Sequence, residues 1–457
     1  MLRLVLSDLR QNAGIWIGAL VVSAATAAAA AIAAGMLETG FALIGSGRPT
    51  DLLRAGGLAT LASLVVVVLT IIAVTAVLGS VTRLTIDLQR RGYALWQLVG
   101  VPSRTVTVVV RLQLAVVALV GSTIGCLVVA PFVPAFLHFG LSESDGLRDL
   151  DEGFGPTSAV AVVLAVTLVV VLSSLRPSRR AGLVRPIEVL REPESVRTRT
   201  TWTRWAASAV ALLLAGLLTS SIVDAGVRTG GQVLLIGPLV TAACTAIGPV
   251  VFPATLRAWT AVVPAHRSAS WFLARNAAAF SVDRSSATVS ALVITIALPG
   301  SLFAGFDTLG DAVQRTTGSS SGGGLDVQSV LLLLGGPLLV SLFGAAATVL
   351  MAGRTREQEA ALVEAAGGSR ATVLARAAWE SVILVGTAVL VAAVVLVLTA
   401  CGQAVALAVT VPGTQPHLGL QAALPAALVS LVLMVAAGTI PLVTGRRRSI
   451  PLVLAAD

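Results

Sequence analysis

Ten runs of apolar residues divide the sequence, at roughly 14–35, 58–81, 112–135, 157–175, 205–223, 232–254, 286–306, 328–352, 379–401 and 421–443. Each is close to the about 20 residues that a helix needs to cross a bilayer core. That feature leaves little choice of fold. Hydrocarbon offers backbone groups no water, so only helices and closed barrels span it, and runs of this length are helices. The expectation is an all-α integral membrane protein of about ten transmembrane helices. Composition agrees, since 56% of the residues are hydrophobic and only 12% charged, whereas soluble chains carry about 25% charged residues.

The charges that remain orient the spans. All 31 basic residues are arginine, and with the N-terminus in the cytosol only Arg48, Arg54, Arg148, Arg228 and Arg315 face outward, leaving 26 on the inner side. Short loops weighted this way fix topology by the positive-inside rule, so both termini are expected in the cytosol. The seven tryptophans fall on the inner side or at inner helix ends, where amphipathic rings settle at headgroup depth. The net charge of +9 is therefore an orientation signal and a surface for membrane lipids, and nucleic acid is excluded as a partner. Arg3 and Arg10 ahead of an alanine-rich run resemble a signal peptide. A second copy of the arrangement in mid-chain favours an uncleaved first span.

That second copy is the chain's other organising feature. Gln89–Arg104 reads QRRGYALWQLVGVPSR and Thr355–Arg370 reads TREQEAALVEAAGGSR. Both lie between long apolar runs and end in a glycine followed by Ser-Arg. The copies can be matched in two registers, Gly100 on Gly367 or Ser103-Arg104 on Ser369-Arg370, and these differ by a single position. Amphipathic inner segments precede the first and seventh spans (Leu4–Gly14, Phe272–Arg284), and arginine clusters followed by Pro186 and Pro451 close each half. The expected organisation is a cytosolic segment at 1–13, a four-span repeat at 14–204 and a linking hairpin at 205–254. A second cytosolic segment at 255–285 and a second four-span repeat at 286–457 complete it. An even number of spans separates the copies, so they run in parallel.

Catalytic chemistry is missing from this pattern. His138, His266 and His417 are isolated in different loops, Cys126, Cys244 and Cys401 offer neither a disulfide framework nor metal-ligand spacing, and no HExxH or GxSxG motif occurs. A phosphate-binding loop needs a lysine, and the chain contains none. ATP-driven work therefore requires a separate subunit.

Each half resembles the FtsX-like permease domain of ABC transporters, the group with the macrolide-efflux, lipoprotein-releasing and bacitracin-resistance permeases. The resemblance is carried by Glu359, Leu362, Gly367, Gly368, Ser369, Arg370 and Glu380 in the second half. In the first half it is carried by Arg91, Leu95, Gly100, Arg104 and the tail Arg185–Arg191. It implies that the repeated phrases are coupling helices seated in two copies of a cytosolic ABC ATPase. ATP and Mg would be bound by that partner, and no cofactor by this chain. The docking residues it assigns are Arg90, Arg91, Leu95, Trp96, Val99, Gly100 and Arg104, with Glu359, Leu362, Gly367, Ser369 and Arg370 in the second copy. Leu88, Leu95 and Val99 fall near one face of the first helix, flanked by Trp96 and Leu98. The alternative is a surface helix whose arginines bind phospholipid.

The copies are not identical. Gly92 and Gln113 stand where the second half has Glu359 and Glu380. Arg111, Gln113 and Glu380 lie at inner helix ends, where snorkelling, capping and coupling roles compete. Gly121 and Gly125 form a GxxxG suited to close helix packing. The large outer domains of bacitracin-type and macrolide-type permeases have no counterpart, and Phe306–Asp326 is expected as a short outer loop. The function this implies is export, or extraction from the membrane, of a hydrophobic or amphipathic substrate such as an antimicrobial peptide or lipophilic drug. A non-transporting mechanotransmitter acting on a wall enzyme or a sensor kinase is the alternative. The chain itself is expected not to be an enzyme.

Overall fold

The computed structural model describes residues 7, 13–45, 74, 78, 81–82, 85–86, 88–141, 154–182, 202–225, 232–264, 268–280, 282–317, 327–351, 362–409 and 411–444. The second predicted span, Glu359, the Arg185–Arg191 tail and the closing arginine cluster fall mostly or wholly outside them. Among the described residues the protein is all α, as the apolar runs require. Its helices are α1 (Ala13–Gly45), α2 (Arg90–Leu98), α3 (Ser103–Val129), α4 (Val133–Leu141), α5 (Pro156–Gly182), α6 (Trp202–Ala225) and α7 (Val233–Ala246). They continue with α8 (Gly248–Val262), α9 (Ala269–Phe280), α10 (Val282–Thr317), α11 (Val327–Met351), α12 (Arg370–Ala408) and α13 (Leu420–Thr444). Among the described residues seven helices are long and apolar enough to cross a membrane, or eight spans if the bent pair α7–α8 counts as one. This is a multi-pass membrane protein.

The chain divides into two compact units. The first comprises Met1–Arg197 with Asp326–Met351, and the second Thr198–Leu325 with Ala352–Asp457. In the first, α1, α3 and α5 pack against one another; in the second, α10, α12 and α13 make the same three pairings. These are the first, third and fourth spans of each sequence repeat. Helix α11 belongs to the second repeat by sequence and to the first unit by packing, lying along α1 with Gly336 against Ala29. The hairpin helices α6 and α7 pack on α12 in the second unit, and α7 also on α10.

Close approach is set by small residues. A Cβ on Gly121 would stand 2.7 Å from the carbonyl oxygen of Leu20, and one on Gly125 would run into the backbone of Ala24. The GxxxG of α3 therefore lies directly on α1. When Gly100 is matched to Gly367, the counterparts of these glycines in α12 are Ala388 and Ala392, both buried. Polar side chains tie each bundle together. Glu38 on α1 accepts from the Gly155 amide at 3.1 Å and from Ser158 Oγ at 2.6 Å, capping the start of α5. Gln403 on α12 donates to the carbonyls of Val233 on α7 (3.2 Å) and Ser301 on α10 (3.3 Å). Where lipid cannot satisfy such groups, neighbouring helices must.

Two sequence expectations need correction. The sixth run, expected as one span at 232–254, is two helices meeting at 79° about Ile247 and continuing to Val262. Gly248 and Pro249 open the second helix, and proline at a first helical turn ends whatever precedes it. The outer loop expected at Phe306–Asp326 is helical as far as Thr317. Thr308 and Ala312 are buried, and Arg315 pairs with Asp311 one turn back at 3.1 Å, so the helix has packing and an ion pair to carry it past the apolar run.

Candidate functional site

The two repeated phrases fold to one local structure. In the first, α2 ends with Val99 N–H donating to the Leu95 carbonyl, Gly100 N–H to Gln97 and Val101 N–H to Trp96, at 3.0–3.1 Å. In the second, Ala366 donates to Leu362, Gly367 to Glu364 and Gly368 to Val363, at 2.9–3.0 Å. Each bond in one copy has its counterpart in the other. This is the Schellman ending of a helix, and it needs a residue in the left-handed region just past the last turn. Gly100 has φ +97° and Gly367 φ +90°, a conformation glycine reaches without Cβ strain.

The next helices start in the same register. Pro102 and Ser369 are the N-caps of α3 and α12, both extended, with ψ 145° and 155°. The match of Gly100 to Gly367 is thus the structural one. The Ser-Arg pairs that look equivalent in sequence sit one position out of step. Ser369 uses its hydroxyl to accept from Thr372 N–H at 3.2 Å, while Pro102 has no side-chain oxygen with which to cap.

What these turns present is apolar and open. Tyr93 and Ala94 are buried, Tyr93 donating to the Gln89 side chain and meeting Trp96 edge to face with centroids 5.8 Å apart. The opposite side of α2 leaves Leu95 56% exposed, with Leu98 and Val99 beside it. Leu362, the counterpart of Leu95, is 59% exposed. Leu98 thus belongs to the exposed ridge instead of flanking it, and Leu88 lies before the helix begins. Arg104, Ser369 and Arg370 are exposed; Arg90 and Arg91 stand in the first turn of α2.

The neighbouring helix ends differ between the copies. Gln113 is fully buried in α3, whereas its counterpart Glu380 is half-buried. The neutral amide therefore occupies the position where a carboxylate would be stripped of water. Arg111 reaches across to α5, Nε donating to Ser178 Oγ at 2.9 Å and a terminal nitrogen lying 3.5 Å from the Leu175 carbonyl. Its charge is engaged in joining α3 to α5. In the second unit the corresponding region holds three tryptophans, Trp271 meeting Trp259 and Trp379 edge to face at 6.1 and 5.3 Å. Trp259 Nε1 donates to Thr387 Oγ1 at 2.9 Å. Their contact was not legible from sequence, although their shared depth was.

A family profile described as FtsX-like permease C-terminal matches residues 63–182. The match contains α2, the Gly100 turn, α3 and α5. No curated protein and no solved structure matches the chain.

Proposed function

We propose that this FtsX-like ABC permease, whose family domain spans residues 63–182, docks two cytosolic ATPase subunits on its two glycine turns and uses their ATP hydrolysis to move a hydrophobic or amphipathic substrate. The observation that carries the reading is the pair of exposed leucines, Leu95 and Leu362, held by helix endings of one geometry. Exposed apolar side chains on a short helix, at the end of the molecule that the arginine count assigns to the cytosol, suit insertion into a groove of a soluble partner. Each turn runs straight into a long helix, α3 or α12. At about 1.5 Å per residue, the 39 residues of α12 carry a displacement across the whole bilayer.

The chain contains no lysine for a phosphate-binding loop, so ATP and Mg belong to the partner. Substrate of a lipophilic or peptide kind would enter sideways from the bilayer, since the segments between spans are short.

The test is to purify the permease in mild detergent with its ATPase, determine the stoichiometry, and reconstitute the complex in vesicles. Two ATPase chains per permease and ATPase activity stimulated by cationic peptides or lipophilic drugs are expected. Failure of every candidate to stimulate, together with copurification of a wall hydrolase or sensor kinase, would replace transport by transmembrane signalling.

A further inference from the structure

The glycine turns open α3 and α12. Beyond the other end of these helices, each repeat ties a carboxylate on its first span to the connection that leads into its fourth. In the first unit this is Glu38 of α1, which accepts from the Gly155 amide at 3.1 Å and from Ser158 Oγ at 2.6 Å. In the second it is Asp311 of α10, which accepts from the Gln415 amide at 3.2 Å and from Arg315 Nε at 3.1 Å. Arg315 in turn lies against Gly413, where a Cβ would stand 2.9 Å from its terminal nitrogen. Gly419 closes the connection onto α10, since a Cβ there would run into the Gly300 carbonyl. The connection between α12 and α13 is thus fastened to α10 at Gly413, Gln415 and Gly419.

The two ties are not copies of one residue. In the register that matches Gly100 to Gly367, Glu38 falls on Gly305 and Asp311 on Ile44. Each half therefore makes the same link, first span to entrance of the fourth, from a different sequence position. A shared mechanical requirement produces that result, and inheritance of one ancestral residue does not. Placement points the same way. Both carboxylates stand towards the end of a long apolar helix, where a charge is costly and marks function. Hydrogen bonds to an ionised acceptor are the strong ones.

A displacement that enters at a glycine turn and travels along α3 or α12 arrives at these connections last. To part the first span from the fourth at this end, Glu38 must release two donors. Asp311 must release Gln415 while Gly419 lifts from Gly300. Resting on ATPase coupling at the glycine turns, we propose that Glu38 and Asp311 are clasps that keep the first and fourth spans of each repeat joined at this end throughout the ATPase cycle. The sideways opening for substrate then forms at another seam.

The test is dipolar electron paramagnetic resonance on the full-length permease with Cys126, Cys244 and Cys401 replaced by alanine. Spin labels go on exposed positions, Phe41→Cys with Thr157→Cys across the first clasp, or Gln314→Cys with Pro416→Cys across the second. Each pair should give one narrow distance distribution, unchanged between the nucleotide-free permease and the ATPase complex trapped with ATP and vanadate. Glu38→Ala should broaden the first distribution alone, and Asp311→Ala the second alone. Arg315→Gln, which leaves Asp311 its bond to Gln415, should broaden the second less than Asp311→Ala does. A pair that moves apart in the trapped complex overturns the proposal. So does an alanine variant whose distribution is as narrow as its parent's. The alanine comparison is made without ATPase, so it decides the clasps whether or not the subunits dock, and the count of ATPase chains in the trapped sample reports on docking alone. The parents carry intact clasps, so their distances are read even if an alanine variant fails to fold.

Discussion

Gly100 and Gly367, one in each repeat, hold the same left-handed backbone, with φ of +97° and +90°. Neither has a neighbouring atom within 4 Å of where a Cβ would stand, so conformation alone selects glycine there. The chain thus builds one helix ending twice, each time between a short helix and a long one.

Substituting either glycine should therefore act through the backbone. Gly100→Val and Gly367→Val should each destabilise the local turn by about 1–2 kcal/mol, and Gly100→Asn by less, since asparagine tolerates this region. Hydrogen exchange at the amides of positions 100 and 101 in the first turn, and of 367 and 368 in the second, reads the effect directly, as faster exchange at the turn that carries the valine. Equal exchange in all three would contradict it.

Gly125 answers to space instead. Gly125→Val must push against the Ala24 backbone, and overpacking of this kind costs about 1–3 kcal/mol. Ala392→Gly, at the equivalent position of α12, removes a methyl where one already fits and should cost about 1 kcal/mol. Thermal unfolding in detergent, followed by size-exclusion chromatography, should rank Gly125→Val well below Ala392→Gly.

The Arg111–Ser178 hydrogen bond predicts coupling between α3 and α5. Arg111→Gln should destabilise by about 1.5–3 kcal/mol as a charged hydrogen bond is lost, and Ser178→Ala by about 1 kcal/mol. Residues in contact do not add, so the double variant should fall short of the sum by at least about 0.5 kcal/mol. Strict additivity would mean that Arg111 only snorkels to water.

Gln113 and Glu380 should resist exchange unequally. Gln113→Glu places a carboxylate at a fully buried position, a change of several kcal/mol when no cation accompanies it. Glu380→Gln, at a half-buried position, should be much milder. The yield of monodisperse protein from matched expressions separates the two.

Much of this architecture was legible in the sequence, for definite reasons. Long apolar runs force helices, and eight of the ten predicted runs each coincide with one described helix while the sixth falls on the bent pair α7–α8, because hydrocarbon allows no other local solution. The glycine turns could be found because only glycine suits their backbone. Their register could not, since Ser103-Arg104 and Ser369-Arg370 suggest one match while the caps at Pro102 and Ser369 require the other. The bend at Ile247 did carry a signal, Gly248-Pro249, overridden by the continuous apolar run around it. That α11 packs on α1 carried none. Its surface is apolar on every side, and such a helix does not encode in its hydropathy which neighbour it will meet. The exposed ridge of Leu95, Leu98 and Val99 was half visible, because helical spacing groups them but does not say which side of α2 is covered by Tyr93 and Ala94.

If the two leucines bind ATPase subunits, the number of ATPase chains retained by purified permease must change when it carries Leu95→Asp, Leu362→Asp or both. A charge placed in an apolar contact should remove one ATPase chain from each single variant and both from the double variant, while the permease remains folded and monodisperse. Two ATPase chains still bound to the folded double variant would contradict the account.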